Sequence, residues 1–333
     1  MRPKAANDLV VMWDDGPEDS LALLQHGLQR ALVAHGVPPV HRARSSLTRM
    51  IARAVGKTGL VRAVLPRGSR RSLTVLSWAS DARTFPDSYW RQPVPWIFDC
   101  WEPQFPQWER LLRRHKISIA FFSSRSTTKY FASRIQGLQA HWIPEACDPE
   151  RFEWERPLAN RSCGVLELGR KWTALHERIR EPLRSAGIRH LYSDPRGSRA
   201  LFPHVGDLRR GLGETAIMLC FPRSITHPES AGCVETFTQR YLEAIGSGCL
   251  VVGRAPAELV ELFGFDPMIR LDDSDPGAHL LRILADLPSY QWMVDKARLR
   301  LLEVGTFEVR ARDMLEVLDW YDGTGNARRA TTP

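Results

Sequence analysis

Glu235 and Glu243 are the residues whose type and spacing first suggest chemistry. They stand eight positions apart in Glu235-Thr-Phe-Thr-Gln-Arg-Tyr-Leu-Glu243-Ala-Ile-Gly-Ser-Gly, directly ahead of the apolar run CLVVGRA. On a helix the two carboxylates share one face about two turns, roughly 12 Å, apart. A nucleotide sugar lying along that helix would use both, Glu235 accepting hydrogen bonds from a hexose and Glu243 chelating the ribose diol. Its diphosphate would face the backbone N–H groups near Thr236, Phe237, Thr238 and Gln239, because a helix N-terminus attracts anions. The alternative is an amphipathic surface helix with two ordinary solvated glutamates.

The elements that must position these groups alternate from end to end. Strand-like runs are predicted at 8–13, 37–43, 72–78, 93–100, 117–124 and 141–146, then at 163–169, 188–194, 216–222, 249–255 and 268–273. Helical runs separate them. The first, Leu21 to about His35, carries Leu21, Leu24, Leu28 and Leu32 at helical spacing behind the capping cluster Gly16-Pro17-Glu18-Asp19-Ser20. Two long helices from about Ser289 to Tyr321 close the chain. Strand-helix alternation of this kind predicts an α/β fold of two doubly wound, Rossmann-like domains. The charged, aperiodic stretch 148–160 with its two prolines marks the boundary, giving domains at 1–155 and 156–306, a helix at 307–325 and a flexible tail at 326–333. In such sheets ligands bind at the carboxyl ends of the strands. Asp14, Asp15, Asp99 and Glu102 fall at or just past predicted strand ends in the first domain, where they would serve an acceptor; for Asp99, capping of the following helix is the competing role. His227 and Glu229 lie in a loop that would border the donor pocket.

The segment around the two glutamates resembles the donor-binding segment of retaining glycosyltransferases of the GT-B fold, the group with a Glu-x7-Glu motif. Trp142-Ile143-Pro144-Glu145-Ala146-Cys147-Asp148-Pro149-Glu150-Arg151-Phe152 is similar to that family's interdomain "IPNGVDPERF". Gly169-Arg170-Lys171 resembles its donor-phosphate loop, Ala257 to Phe263 its "PELVE" helix, and Gly305 to Arg310 its closing segment. The resemblance covers residues 140 to 320. It departs from the family at Thr236-Phe237-Thr238, where Gly-Phe-Gly is usual, at Lys171, which directly follows the arginine, and at Trp13-Asp14-Asp15-Gly16-Pro17 in place of a glycine loop. The resemblance implies a hexosyl transfer with retention in which no metal or further cofactor takes part. The departing phosphate would itself take the acceptor's proton, so no strong protein base is needed. An enzyme without a metal must neutralise that leaving group with guanidinium, ammonium and helix-terminus dipoles. Arg170 is the first candidate and Arg240 the second; Gly169 and Lys171 would bind the donor, and Glu235, Arg170 and Asp99 form the expected catalytic set.

The chain's net charge of +8 lies wholly in residues 1–158, which hold 23 Lys and Arg against 15 Asp and Glu. Residues 42–71 contain nine cations, Arg42 through Arg71, and no acid. Within them 46–65 reads as a basic amphipathic helix, suited to a membrane surface. An anionic glycolipid carrier, a nucleic acid or a phosphorylated metabolite would all be drawn to such a field; an arginine-rich surface with no ligand is the other reading. A nucleotide-sugar epimerase of the same fold is disfavoured by the lack of an acid/base pair, and a nucleic-acid-binding module by the lack of a zinc knuckle or RNP motif. The six cysteines form no CxxC pair and read as reduced, mostly buried thiols. No apolar run reaches the roughly 18 residues of a membrane span. The expectation is a cytoplasmic protein, with peripheral contact at the inner membrane face through the basic segment left open.

Overall fold

The structure, a computed structural model, describes residues 8–13, 23–41, 70–76, 91–169, 171–193 and 201–330. Every expected strand is present, and all pairings are parallel. The chain groups into two units. One comprises Met1–Pro17, Gln25–Pro144 and Phe307–Pro333, the other Glu18–Leu24 and Glu145–Thr306.

The first unit contains β1 (Leu9–Trp13), α1 (Leu23–Ala34), β2 (Pro39–His41), β3 (Arg71–Leu76), β4 (Gln92–Ile97), α2 (Phe105–Arg114), β5 (Ile119–Phe122), α3 (Arg125–Arg134) and β6 (Gln139–Trp142). Its sheet runs β2-β1-β3-β4-β5-β6. Strands buried on both faces read as continuous apolar runs, as in β5, Ile-Ala-Phe-Phe, where all four residues are buried. Trp96 lies wholly in this core and donates its indole N–H to the Ile143 carbonyl at 2.9 Å.

The second unit holds β7 (Cys163–Glu167), α4 (Thr173–Ser185), β8 (His190–Tyr192), α5 (Val205–Gly213), β9 (Thr215–Cys220), α6 (Arg223–Thr226), α7 (Pro228–Ala231), α8 (Gln239–Gly246), β10 (Leu250–Gly253), α9 (Ala257–Phe263), β11 (Ile269–Arg270), α10 (Pro276–Ala285) and α11 (Gln291–Val304). Its sheet runs β11-β10-β9-β7-β8, so strand order reverses at β7 and β9. Val165, Ile217, Leu250 and Val252 of the sheet pack with Leu175, Ile179, Leu183, Leu280 and Ile283 of α4 and α10.

The last helix, α12 (Phe307–Ala330), groups with the first unit, and the Phe307 ring lies so close to Gly27 of α1 that a Cβ there would sit 2.1 Å from it. Three expectations change. The unit boundary falls at Pro144–Glu145 rather than near 155, because Pro149, Phe152 and Leu158 are buried and tie the segment to the second unit. Residues 326–330, expected as flexible tail, continue α12. Of the basic segment, 42–69 lies outside the described residues, while Arg71 is buried in β3 with its guanidinium 5.0 Å from the Tyr321 ring centroid, so it is not part of a cationic surface.

Candidate functional site

The reversal of strand order between β7 and β9 is where an open parallel sheet leaves a crevice for ligands at its carboxyl edge. The loop after β7 begins with Gly169 at φ +90°, a left-handed turn that glycine makes without strain. Arg170 lies outside the described residues. Lys171 holds its ammonium 4.8 Å from the Tyr192 ring centroid, a cation–π contact that ties it to β8. After β9 the chain makes the two short helices α6 and α7. There His227 Nδ1 is 2.9 Å from the Thr226 hydroxyl, and Glu229 is exposed.

The segment that carries the two glutamates is not one helix. Gly232 at φ +61° ends α7, residues 234–238 run without helical bonding, and α8 starts only at Gln239. Glu235 is therefore on the approach to the helix and does not share a helical face with Glu243. Side-chain anchoring explains why the helix starts late. Phe237 is 1% exposed and belongs to the core, so it offers a ligand no side-chain surface. The Thr236 hydroxyl donates to Glu258 Oε2 at 2.8 Å, pinning the segment to α9. Thr238 takes an extended conformation at the N-cap, and the N–H of Gln239 donates to Glu145 Oε2 at 2.5 Å. That amide, expected to face a diphosphate, already holds a carboxylate.

Glu235 is partly exposed, its carboxylate 3.4 Å from Arg254 beyond the end of β10. Glu243 is 0% exposed in the middle of α8. Its Oε2 accepts from Arg240 Nη1 at 2.5 Å, whereas the buried Oε1 has no hydrogen-bond partner among the described residues. Burial pushes this carboxyl's pKa up, against the opposing pull of Arg240 and then Arg209. A buried carboxylate oxygen left without a donor costs free energy unless a ligand supplies one.

Of the expected acceptor-side residues, Asp14 and Asp15 lie outside the described residues. Asp99 and Glu102 are in the first unit. Asp99 sits two residues past β4 at φ +53°, a left-handed conformation that Asp tolerates better than most residues, and Glu102 opens a short 3-10 helix with its side chain exposed. Sequence reasoning missed Glu145 as the partner of the α8 amide, although it stands at the asparagine position of the interdomain motif. It also missed Glu167, His176 and His190, which the fold brings together from positions that form no motif.

No protein-family model matches the chain, and no curated protein matches it by sequence. Solved structures do. The chain is similar to Anabaena Alr3699/HepE in complex with UDP and glucose, with 13% identity, coverage of 93% of this chain and 98% of that one, and a TM-score of 0.57. It is similar to AviGT4, a glycosyltransferase involved in avilamycin A biosynthesis, with 15% identity, coverage of 93% and 96%, and a TM-score of 0.56. A UDP-forming α,α-trehalose-phosphate synthase from Burkholderia vietnamiensis matches with 12% identity, coverage of 90% and 84%, and a TM-score of 0.52. The chain has the GT-B fold of these glycosyltransferases. Among the described residues no helix is long and apolar enough to cross a membrane.

Proposed function

We propose that this GT-B-fold chain is a glycosyltransferase that moves a hexose from a nucleoside diphosphate sugar to an acceptor hydroxyl, with retention and without a catalytic metal. The observation that carries the reading is Glu243, a fully buried carboxylate in α8 whose Oε1 has no hydrogen-bond partner among the described residues. A ribose hydroxyl donating to that atom would complete its hydrogen bonding. Because Glu243 is 0% exposed, a covering group must move before a ribose reaches it. Arg240, 30% exposed and bonded to the other oxygen, is that group in our reading.

With the ribose at Glu243, the diphosphate lies toward the start of α8 and the Gly169–Lys171 loop, and the hexose toward Glu235. The similarity to HepE with UDP and glucose supports the donor class. Charge developing on the leaving phosphate would meet Arg170 and the positive end of α8. Glu235, partly exposed and held only by a 3.4 Å contact with the half-exposed Arg254, is available to accept hydrogen bonds from sugar hydroxyls. The phosphate takes the acceptor's proton as the new bond forms on the same face, so no protein base is assigned. Asp99 is assigned to acceptor contact, and the cations of residues 42–69 favour an anionic acceptor.

The test is thermal stabilisation and hydrolysis of UDP-, GDP-, ADP- and dTDP-sugars by wild type and Glu243→Gln, each with and without EDTA. Stabilisation and turnover with one nucleotide family, weakened in the variant and unchanged by EDTA, supports the reading; NMR of the product's anomeric proton then reads retention. Indifference to every donor refutes it.

A further inference from the structure

Three side chains at the base of the Gly169–Lys171 loop have the atom types of a zinc site. Strand register brings the first two together. In the parallel pair β7–β8, Val165 is level with His190 and Glu167 with Tyr192, so Glu167 and His190 share one face of the sheet. The third, His176, comes from the first turn of α4, which packs on that face through Leu175 and Ile179. His176 Nδ1 is 2.5 Å and His190 Nε2 2.9 Å from the same atom, Glu167 Oε1, and all three ligand atoms lie within 4.8 Å of one another. Each side chain is only 6% exposed.

We infer that Glu167, His176 and His190 bind a divalent transition-metal ion, zinc above all, that ties β7, β8 and α4 together beneath the loop. Two imidazole nitrogens and one carboxylate oxygen form an established zinc donor set, with ligand bonds of about 2.0–2.2 Å. Ligands around such an ion sit roughly 3.3 Å apart, so each imidazole nitrogen needs to move less than about 1 Å away from Glu167 Oε1, with the two nitrogens already within 4.8 Å of each other. Charge argues in the same direction. Among the described residues Glu167 has only the two imidazoles as partners, while Lys171, four residues on, places its ammonium over the Tyr192 ring. A buried carboxylate is stabilised by a full positive charge, which a divalent ion supplies. The Tyr192 ring packs against both imidazoles, its centroid 4.4 Å from that of His176 and 5.0 Å from that of His190, and shields the site. Enclosed by side chains that are each 6% exposed, this ion would hold the loop in place, stay bound when EDTA is added to the folded protein and take no part in the transfer chemistry, so the inference is tested apart from the proposed function.

The test uses the full chain purified without a histidine tag. Metal content is measured by mass spectrometry, and the denatured, chelator-stripped and refolded protein is then titrated with Co2+ and Zn2+. We expect about one equivalent of metal per chain, a visible Co2+ absorption band typical of low-coordinate N/O ligation and abolished by Zn2+, and a higher Tm with the ion than without it. His190→Gln and Glu167→Gln, with folding checked by circular dichroism, should each lose the band and at least about 10-fold in affinity. Wild-type protein that carries no metal and takes up none at micromolar free Zn2+ overturns the inference, leaving a hydrogen-bonded trio. Uptake that both variants retain overturns it equally, because the ion then sits elsewhere.

Discussion

Replacing Glu243 with glutamine separates a functional carboxylate from a structural one, because the two roles predict opposite changes in stability. The side chain is 0% exposed, and its pKa is raised because desolvation outweighs the pull of Arg240. A neutral isostere escapes that desolvation, and Arg240, 30% exposed, is left where water can reach it. The Glu243→Gln protein is therefore expected to be more stable than wild type at neutral pH. The pH dependence follows from the same shift. An acid whose folded pKa lies above its unfolded value, about 4.3 for Glu, favours the folded state most below that value and loses this contribution as pH rises through the folded pKa. The stability gap between variant and wild type should thus be smallest in acid, widen as pH rises through the raised pKa, and level off above it. Binding should move the other way. A hydrogen bond to a charged group is worth about 1.5–3 kcal/mol, so a ribose diol that loses its carboxylate should weaken nucleoside diphosphate binding by about 10- to 150-fold. Urea unfolding at several pH values and calorimetric titration, with the nucleotide that stabilises wild type, read both quantities. Unchanged nucleotide affinity, or a stability that falls together with affinity, refutes the reasoning and makes Glu243 a structural partner of Arg240.

Glu145→Gln keeps an acceptor for the Gln239 N–H but removes a negative charge from the start of α8, so nucleotide affinity should rise by about two- to fivefold in the same titration; weaker binding would show that the carboxylate serves the donor. Arg161→Met should cost at least about 3 kcal/mol in urea unfolding, about 1 kcal/mol or more for each buried carbonyl that loses its donor, because the guanidinium donates to the carbonyls of Thr215 and Ser247 at 2.9 Å and of Arg156 at 3.0 Å; a loss below about 1 kcal/mol would mean those carbonyls find other partners. Of the six thiols, Cys233 alone is exposed and should be alkylated quickly in the native state; burial pushes Cys249 up to about 11 and raises Cys100, Cys163 and Cys220 as well, so a mass shift of more than one label before unfolding would contradict the packing described.

Strands were readable because a buried parallel strand is a short apolar run, and Ile-Ala-Phe-Phe or Leu-Val-Val-Gly has no competing reading once turn residues flank it. Helix boundaries were harder, since tertiary contacts set them. Nothing local forbids a helix over Glu235–Thr238, yet Phe237 enters the core and Thr236 reaches Glu258 twenty-two positions on, two contacts that an extended segment satisfies and a helix would break. At the other end, Gly323, Thr324 and Gly325 suggest fraying, but α12 continues through them to Ala330.

The site divides along the same line. Glu243 is singled out by its place in a motif, and the structure adds what spacing cannot carry, that the carboxylate is buried with Arg240 on one oxygen and no hydrogen-bond partner among the described residues on the other. The trio of Glu167, His176 and His190 has separations of nine and fourteen residues that match no period of helix or strand. It becomes a site only because β8 pairs with β7 in one register. A shift of that register by one residue would turn His190 to the opposite face and leave Glu167 with His176 alone. What the sequence hides, then, is chemistry assembled by strand register and helix packing, and the metal titration and the Glu243 series each probe one such assembly.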